Sequence, residues 1–352
     1  MSWEANVRRV IPYTPGEQPK TTNLIKLNTN ECPYPPAPAV QEALKHINYD
    51  EMRLYPSPGA DSLVEAIANY YQVKPTQVFV GVGSDDVIAQ AFLTFFNSNK
   101  PILFPDITYS FYDVWADLYR IPYEKQPLDE NFHICPQDYK KENGGIIFPN
   151  PNAPTGLMEE LSVIEEIVAA NPEQVVMIDE AYVDFGADSA LPLIEKYDNL
   201  LVIQTFSKSR AMAGMRIGFA IGNEKMIRYL SNVKFSVNSY TMNRPSLILG
   251  PLAIEDDTYF KETTSKIIST REWMKREMKA LGFDFPDSKS NFIFARHESM
   301  PAKQLQSALR EKNIFVRYFD KPRIDNYLRI TVGTQQEAEV LMKALKEILN
   351  RA

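Results

Sequence analysis

Cysteine is scarce. Cys32 and Cys135 are the only two in 352 residues. Two thiols cannot staple a chain of this size, and they form no paired metal-ligand spacing. A disulfide scaffold and a cysteine-based metal module are therefore excluded, and the usage fits a reducing compartment. Long apolar runs are missing too. No stretch reaches the about 18 residues of a membrane-spanning helix. The first ten residues, MSWEANVRRV, lack an apolar targeting core, so no signal peptide is expected. Positive charge is in deficit: 38 Lys and Arg face 45 Asp and Glu, a net charge of −7. Phosphates repel such a chain, so general nucleic-acid or membrane-surface binding is not expected. A local basic pocket for a small anion remains open. What is present is ordinary for a globular protein: 44% hydrophobic and 24% charged residues. At roughly 150 residues per domain, the length predicts about two domains. The expectation is a cytoplasmic two-domain protein.

Residues 1–38 are rich in Pro, Asn and Thr and end in Pro33, Pro35, Pro36 and Pro38. They read as an extended arm. Between residues 77 and 221, short apolar runs alternate with segments of helical spacing. That alternation predicts an α/β fold with a mostly parallel sheet covered by helices. Residues 245–281 read as one long charged helix. Strands at 291–295 and 327–331, with helices at 304–312 and 336–350, predict a smaller α+β domain. The organisation expected is an arm (1–38), a large domain (39–269) and a small C-terminal domain (270–352).

Five segments sit where a parallel sheet gathers ligands, at strand ends. Thr205-Phe206-Ser207-Lys208 follows the run LLVIQ. A lysine there can form a Schiff base with an aldehyde, although most loop lysines are simply solvated. Asp179-Glu180-Ala181-Tyr182 follows another strand. Its carboxylate could pair with a protonated ring nitrogen or merely cap a helix. Asn150-Pro151-Asn152-Ala153-Pro154-Thr155-Gly156 is a loop stiffened by prolines, either a donor platform or an ordinary turn. Gly81-Val82-Gly83-Ser84-Asp85-Asp86 enters a helix and leaves N–H groups free for a phosphate. It also falls one residue short of a dinucleotide fingerprint, since Asp86 replaces the third glycine. An NAD-dependent dehydrogenase therefore stays open as an alternative. Gly214-Met215-Arg216-Ile217-Gly218 adds a guanidinium that suits a phosphate, or is a structural arginine at a strand start.

In their order and spacing these segments closely resemble the fold-type I pyridoxal phosphate aminotransferases. Ile11-Pro12-Tyr13, the run from Lys26 to Pro33, Arg53-Leu54-Tyr55-Pro56, and the run from Leu328 to Thr334 are similar to the histidinol-phosphate aminotransferase family within them. Cys32, Leu54 and Ser57 depart from that family's usual residues, and none of the three is an assigned site residue.

The resemblance implies pyridoxal 5'-phosphate as cofactor, with Lys208 as the Schiff-base lysine. Asp179 pairs with the ring nitrogen, Asn152 and Tyr182 bond the ring hydroxyl, and Tyr109 stacks on the ring. Ser84, Asp85, Thr205, Ser207 and Arg216 surround the phosphate. Tyr55 reaches the cofactor of a partner subunit in a homodimer, and the arm packs on the small domain and that partner. Arg317 and Arg329 take the anionic groups of both substrates, histidinol phosphate and glutamate or 2-oxoglutarate, and Tyr13 closes over them. The same resemblance leaves open an aromatic or broad-specificity aminotransferase and a threonine-phosphate decarboxylase. A catalytically idle pyridoxal-binding regulator is the more distant reading.

Overall fold

The computed structural model describes residues 2–20 and 23–350. The arm contributes one short strand, β1 (Ile25–Leu27). Helices α1 (Pro38–Lys45) and α2 (Asp61–Tyr71) follow. Strand β2 (Val78–Val82) turns through Gly83 into α3 (Ser84–Phe95). Then come β3 (Ile102–Pro105), α4 (Tyr112–Tyr119) and β4 (Tyr123–Gln126). Strand β5 (Ile146–Pro149), helix α5 (Leu161–Ala170) and strand β6 (Val176–Asp179) continue the alternation. It ends with β7 (Leu200–Thr205) and β8 (Ile217–Gly222). Three helices succeed it: α6 (Glu224–Val237), α7 (Arg244–Glu255) and α8 (Asp257–Ala280). The C-terminal part holds β9 (Phe283–Asp284), β10 (Phe292–His297) and α9 (Ala302–Glu311). Strands β11 (Ile314–Tyr318) and β12 (Leu328–Thr331) and helix α10 (Gln335–Leu349) complete it.

Strands β5 to β8 are buried along their whole length, which fits their continuous apolar runs. Such strands need cover on both faces. Helices supply it, with Leu63, Ile164 and Phe148 in the core on one side and Phe92, Trp115 and Ile147 on the other. The large sheet has seven strands in the order β2-β8-β7-β6-β5-β3-β4. The pairs among β3 to β7 are parallel, while β8 is antiparallel to both β2 and β7. This places the carboxyl ends of β2, β3, β5, β6 and β7 along one edge, together with the start of β8. Ligands of open α/β sheets bind at that edge.

The small sheet has the order β1-β11-β12-β10-β9. Its edge strand β1 comes from the arm and pairs in parallel with β11, Ile25 opposite Ile314. The arm is thus part of a sheet and not only an extended lead. The single helix expected over 245–281 is two. Asp256 interrupts it, and its carboxylate accepts the Tyr259 N–H at 3.1 Å to start α8 afresh. Helix α8 runs unbroken through residue 270. Its buried Arg271 donates to the carbonyls of Phe185 at 2.7 Å and Ser290 at 2.8 Å, tying the two sheets' surroundings together.

Candidate active site

The shared edge of the large sheet opens into a cavity of about 240 Å³. Twelve of the residues expected at a site line it: Tyr13, Ser84, Asp85, Tyr109, Asp179, Tyr182, Thr205, Ser207, Lys208, Arg216, Arg317 and Arg329. Topology explains the convergence. Ser84 and Asp85 follow β2, Tyr109 follows β3, Asp179 ends β6, Lys208 follows β7 and Arg216 precedes β8. The small sheet adds Arg317 and Arg329 from β11 and β12.

Asp179 lies at the floor, 4% exposed. One carboxylate oxygen accepts the Tyr112 hydroxyl at 2.9 Å, and the other accepts the Ala181 N–H at 3.2 Å. Burial pushes its carboxyl up to about 6, with the Tyr112 and Ala181 bonds pulling the other way. The Lys208 amine donates to the carbonyl of Thr29 at 3.2 Å and lies 5.7 Å from the centre of the Tyr182 ring. The Tyr182 hydroxyl accepts from the Asn30 amide at 2.9 Å, which leaves its own proton free to donate. Beneath this layer, Glu180 is fully enclosed. Burial raises its carboxyl to about 7, while Ser189, the Ala190 N–H and Gln204 donate to it.

The loop into α3 forms an anion cradle. Gly83 is the N-cap and no side chain caps the helix, so the first-turn N–H groups stay free. Gly83 has φ of 83°, and a Cβ there would stand 2.5 Å from the Arg216 guanidinium. Arg216 in turn meets Asp85 at 3.4 Å, and the Tyr109 hydroxyl donates to the other Asp85 oxygen at 2.9 Å. Thr205 and Ser207 bond each other at 3.0 Å at the end of β7. Asp86 turns away and accepts the Val82 N–H at 2.9 Å.

Two arginines face the cavity from the small sheet. Arg317 and Arg329 are direct cross-strand partners. Like charges in that position repel and are normally avoided. Among the described residues no carboxylate pairs with either. Their hydrogen bonds go to arm carbonyls: Arg317 to Thr14 and Pro15 at 3.4 Å each, Arg329 to Asn28 at 3.2 Å. Arg329 is half-buried, with its Nε enclosed and unpartnered. Burial, and Arg317 beside it, lower its affinity for its proton. Tyr13 stacks on Phe111 at 4.4 Å, which brings the arm across this end of the cavity.

The donor set fits pyridoxal phosphate. The orphaned buried atoms here are Arg329 Nε, Thr108 Oγ1 and Asn152 Oδ1; Arg329 and Thr108 line the cavity, and Asn152 directly precedes Ala153, which does. Unpaired buried polar atoms ask for a partner. The free helix start with Arg216 suits a phosphate, Asp179 suits a ring cation, and Lys208 suits an aldehyde.

Two expected residues stand apart. Asn152 is not on the cavity wall itself: its amide donates to the Ile107 carbonyl at 3.0 Å and to Thr155 at 3.1 Å. Tyr55 is 79% exposed, stacked on Tyr240 at 4.6 Å and outside the cavity of its own chain. Sequence reading missed Thr29 and Asn30, which hold Lys208 and Tyr182, and Tyr112 behind Asp179. The first two lie in the run from Lys26 to Pro33, where a resemblance was visible without assigned roles. Tyr112 carried no signal, because its partner is 67 residues away.

The family model for aminotransferase class I and II matches residues 22–345. Histidinol-phosphate aminotransferase 1 from Hydrogenovibrio crunogenus is 53% identical over 99% of this chain and 98% of its own. The histidinol-phosphate aminotransferase from Brachyspira hyodysenteriae is 51% identical over 97% of each chain. In fold, the structure resembles that of the Sinorhizobium meliloti histidinol-phosphate aminotransferase in complex with pyridoxal-5'-phosphate. Their TM-score is 0.85, at 21% identity, covering 93% of this chain and 91% of that one. The dehydrogenase alternative falls with these matches, and with topology: β2 pairs only with the antiparallel β8, at the sheet edge, not inside a parallel nucleotide-binding unit. The chain belongs to the aminotransferase class I and II family and, within it, groups with the histidinol-phosphate aminotransferases.

Proposed function

We propose that the chain transfers the amino group of histidinol phosphate to 2-oxoglutarate, giving imidazole acetol phosphate and glutamate in histidine biosynthesis. One observation carries the reading. The unneutralised Arg317–Arg329 pair faces the same cavity as Lys208 and Asp179. Histidinol phosphate carries a phosphate ester and no carboxylate, whereas glutamate carries two carboxylates. Guanidinium forks accept either group.

Pyridoxal phosphate, when bound, supplies an aldehyde that condenses with amines and a ring that accepts an electron pair. Lys208 would hold that aldehyde, and its amine, when free, would take the proton from the carbon bearing the substrate's nitrogen. Asp179 keeps a proton on the ring nitrogen. Asn152 and Tyr182 bond the ring oxygen, and Tyr109 covers one face. Ser84, Asp85, Thr205, Ser207 and Arg216 hold the phosphate, with Asp85 acting through its backbone. Arg317 and Arg329 receive the far anionic group while Tyr13 shuts out water.

The reading extends to a cytoplasmic homodimer in which Tyr55 serves the neighbouring site. Support comes from exposed apolar side chains in two stretches, Tyr49, Leu54 and Tyr55 in one and Phe235, Val237 and Tyr240 in the other, which meet where Tyr55 stacks on Tyr240. Among the described residues no helix is long and apolar enough to cross a membrane.

The test is a transamination assay with histidinol phosphate and 2-oxoglutarate. Aromatic amino acids run beside it, because Tyr13, Tyr109 and Phe319 present rings to the cavity. The expected result is keto product and glutamate, with parallel double-reciprocal lines. Conversion only of aromatic donors, or decarboxylation of threonine phosphate without any keto acid, overturns the assignment.

A further inference from the structure

We propose that Tyr112 is a positioning residue for this reaction: its hydroxyl, buried behind Asp179, keeps that carboxylate ionised and turned toward the cofactor's ring nitrogen. The inference rests on the roles of Asp179 and Lys208 given above. Tyr112 does not line the cavity and touches no substrate. It acts only through Asp179.

The geometry is specific. Tyr112 begins α4 and is completely buried. Its ring packs edge-on against Tyr109 at 5.8 Å and against Phe104 at 5.9 Å. A phenylalanine would fill that aromatic cluster equally well. A phenol there must bury a polar group, which costs stability unless the hydroxyl finds a partner. The partner is Asp179 at 2.9 Å. The phenol cannot lose its proton in this setting, since burial and the facing carboxylate both push its ionisation well above the ordinary tyrosine value. Tyr112 is therefore a permanent donor.

The surroundings of Asp179 make that donor count. Asp85, at the start of α3, faces it as a like charge and favours the protonated form. Lys208, beyond β7, favours the ionised form but lends its amine to chemistry. The flanking strands β5 and β7 offer no titratable side chain. Tyr112 is the only side chain that hydrogen-bonds Asp179 among the described residues; the other donor is the Ala181 backbone. Hydrogen bonds to a carboxylate stabilise its charged form, so removing one raises the pH at which it ionises.

Three proteins reconstituted with pyridoxal phosphate decide the matter: wild type, Tyr112→Phe, and a chain carrying 3-fluorotyrosine at position 112 only. The readouts are the pH profile of kcat, the KM values, and the ¹⁵N chemical shift of labelled cofactor nitrogen. In Tyr112→Phe the acid limb of kcat moves up by about one to two pH units. At fixed pH the nitrogen signal moves toward its unprotonated position, and KM changes less than about twofold. The fluorinated phenol, a stronger donor of the same shape, shifts the acid limb and the nitrogen signal the opposite way. A merely structural tyrosine would leave both unchanged, and superimposable profiles in all three proteins overturn the proposal. If Tyr112→Phe fails to fold, the fluorinated chain alone decides. If wild type forms no Lys208-linked chromophore, the parent reading fails instead.

Discussion

Asp179 is a carboxylate held almost entirely out of water, 4% exposed at the cavity floor. Its ionisation is displaced from 3.8 to about 6 in the fold, so the folded chain holds its proton more tightly than the unfolded one does. The penalty is absent below about pH 4, grows between those two values and is complete above about pH 6, where it is on the order of 3 kcal/mol. Asp179→Asn removes the charge and keeps the shape. The cofactor-free variant should therefore melt higher than wild type at pH 7.5 and lose most of that advantage at pH 4. With cofactor present its turnover should drop by at least about a hundredfold. Melting curves at the two pH values and a single-turnover assay check both halves. The arginine pair allows a second test at this scale. Arg329→Ala should lower kcat/KM about a hundredfold for histidinol phosphate and for glutamate alike, each loss corresponding to about 3 kcal/mol. A loss confined to one substrate would sink the idea of one pocket for two anions. Single residues were legible in sequence where a strand end announces them, as with Lys208, Asp179 and Arg216. Thr29, Asn30 and Tyr112 were not, because their contacts lie 179, 152 and 67 residues away. No local pattern encodes such a contact.

At the level of elements, the anion cradle depends on how closely β8 approaches the turn from β2 to α3. Gly218 stands opposite Gly81 in the β2–β8 register. A Cβ on Gly218 would lie 2.2 Å from the Ser84 nitrogen and 2.3 Å from the Gly83 carbonyl carbon. Both are backbone atoms and cannot swing aside. Gly218→Ala should therefore push the cradle off its strand. The expected outcome is a cost of about 3 kcal/mol and at least about tenfold weaker cofactor binding. Gly214→Ala is the control, since nothing lies within 4 Å of its Cβ position. It should stay within about 0.5 kcal/mol of wild type. Denaturant melts and a fluorescence titration with pyridoxal phosphate measure both. The same scale shows which elements a sequence declares. The alternation over residues 77–221 was legible, and β5, β6 and β7 fall within it, because apolar runs bounded by turns carry their own signal. Strands β1 and β4 escaped because they are short, partly exposed edges. Asp256 was hidden inside a continuous charged pattern; its non-helical backbone and its capping bond divide α7 from α8.

For the whole molecule, the site belongs to no single unit of the fold. The large sheet gives Lys208, Asp179 and the cradle, the small sheet gives the arginine pair, and the arm, itself a strand of the small sheet, covers them with Tyr13. Tyr55 is what remains outside. It is held on the surface by the Tyr240 ring and by Arg244, which donates to its carbonyl at 3.2 Å. That is a costly way to display an aromatic side chain unless another molecule uses it. In the proposed two-fold assembly each copy lends Tyr55 to the other, so defects in Lys208 and Tyr55 reside in different sites of one dimer. Lys208→Ala and Tyr55→Ala chains, each inactive or nearly so, should complement when unfolded together and refolded as a mixture. Half of the dimers are hybrids, and each hybrid holds one intact site and one doubly damaged site. The mixture should recover about a quarter of wild-type specific activity. Activity equal to the sum of the separate variants would mean that Tyr55 acts within its own chain or not at all. Sedimentation of each variant beforehand ensures that both still form dimers, so a failure to complement cannot be blamed on a lost interface.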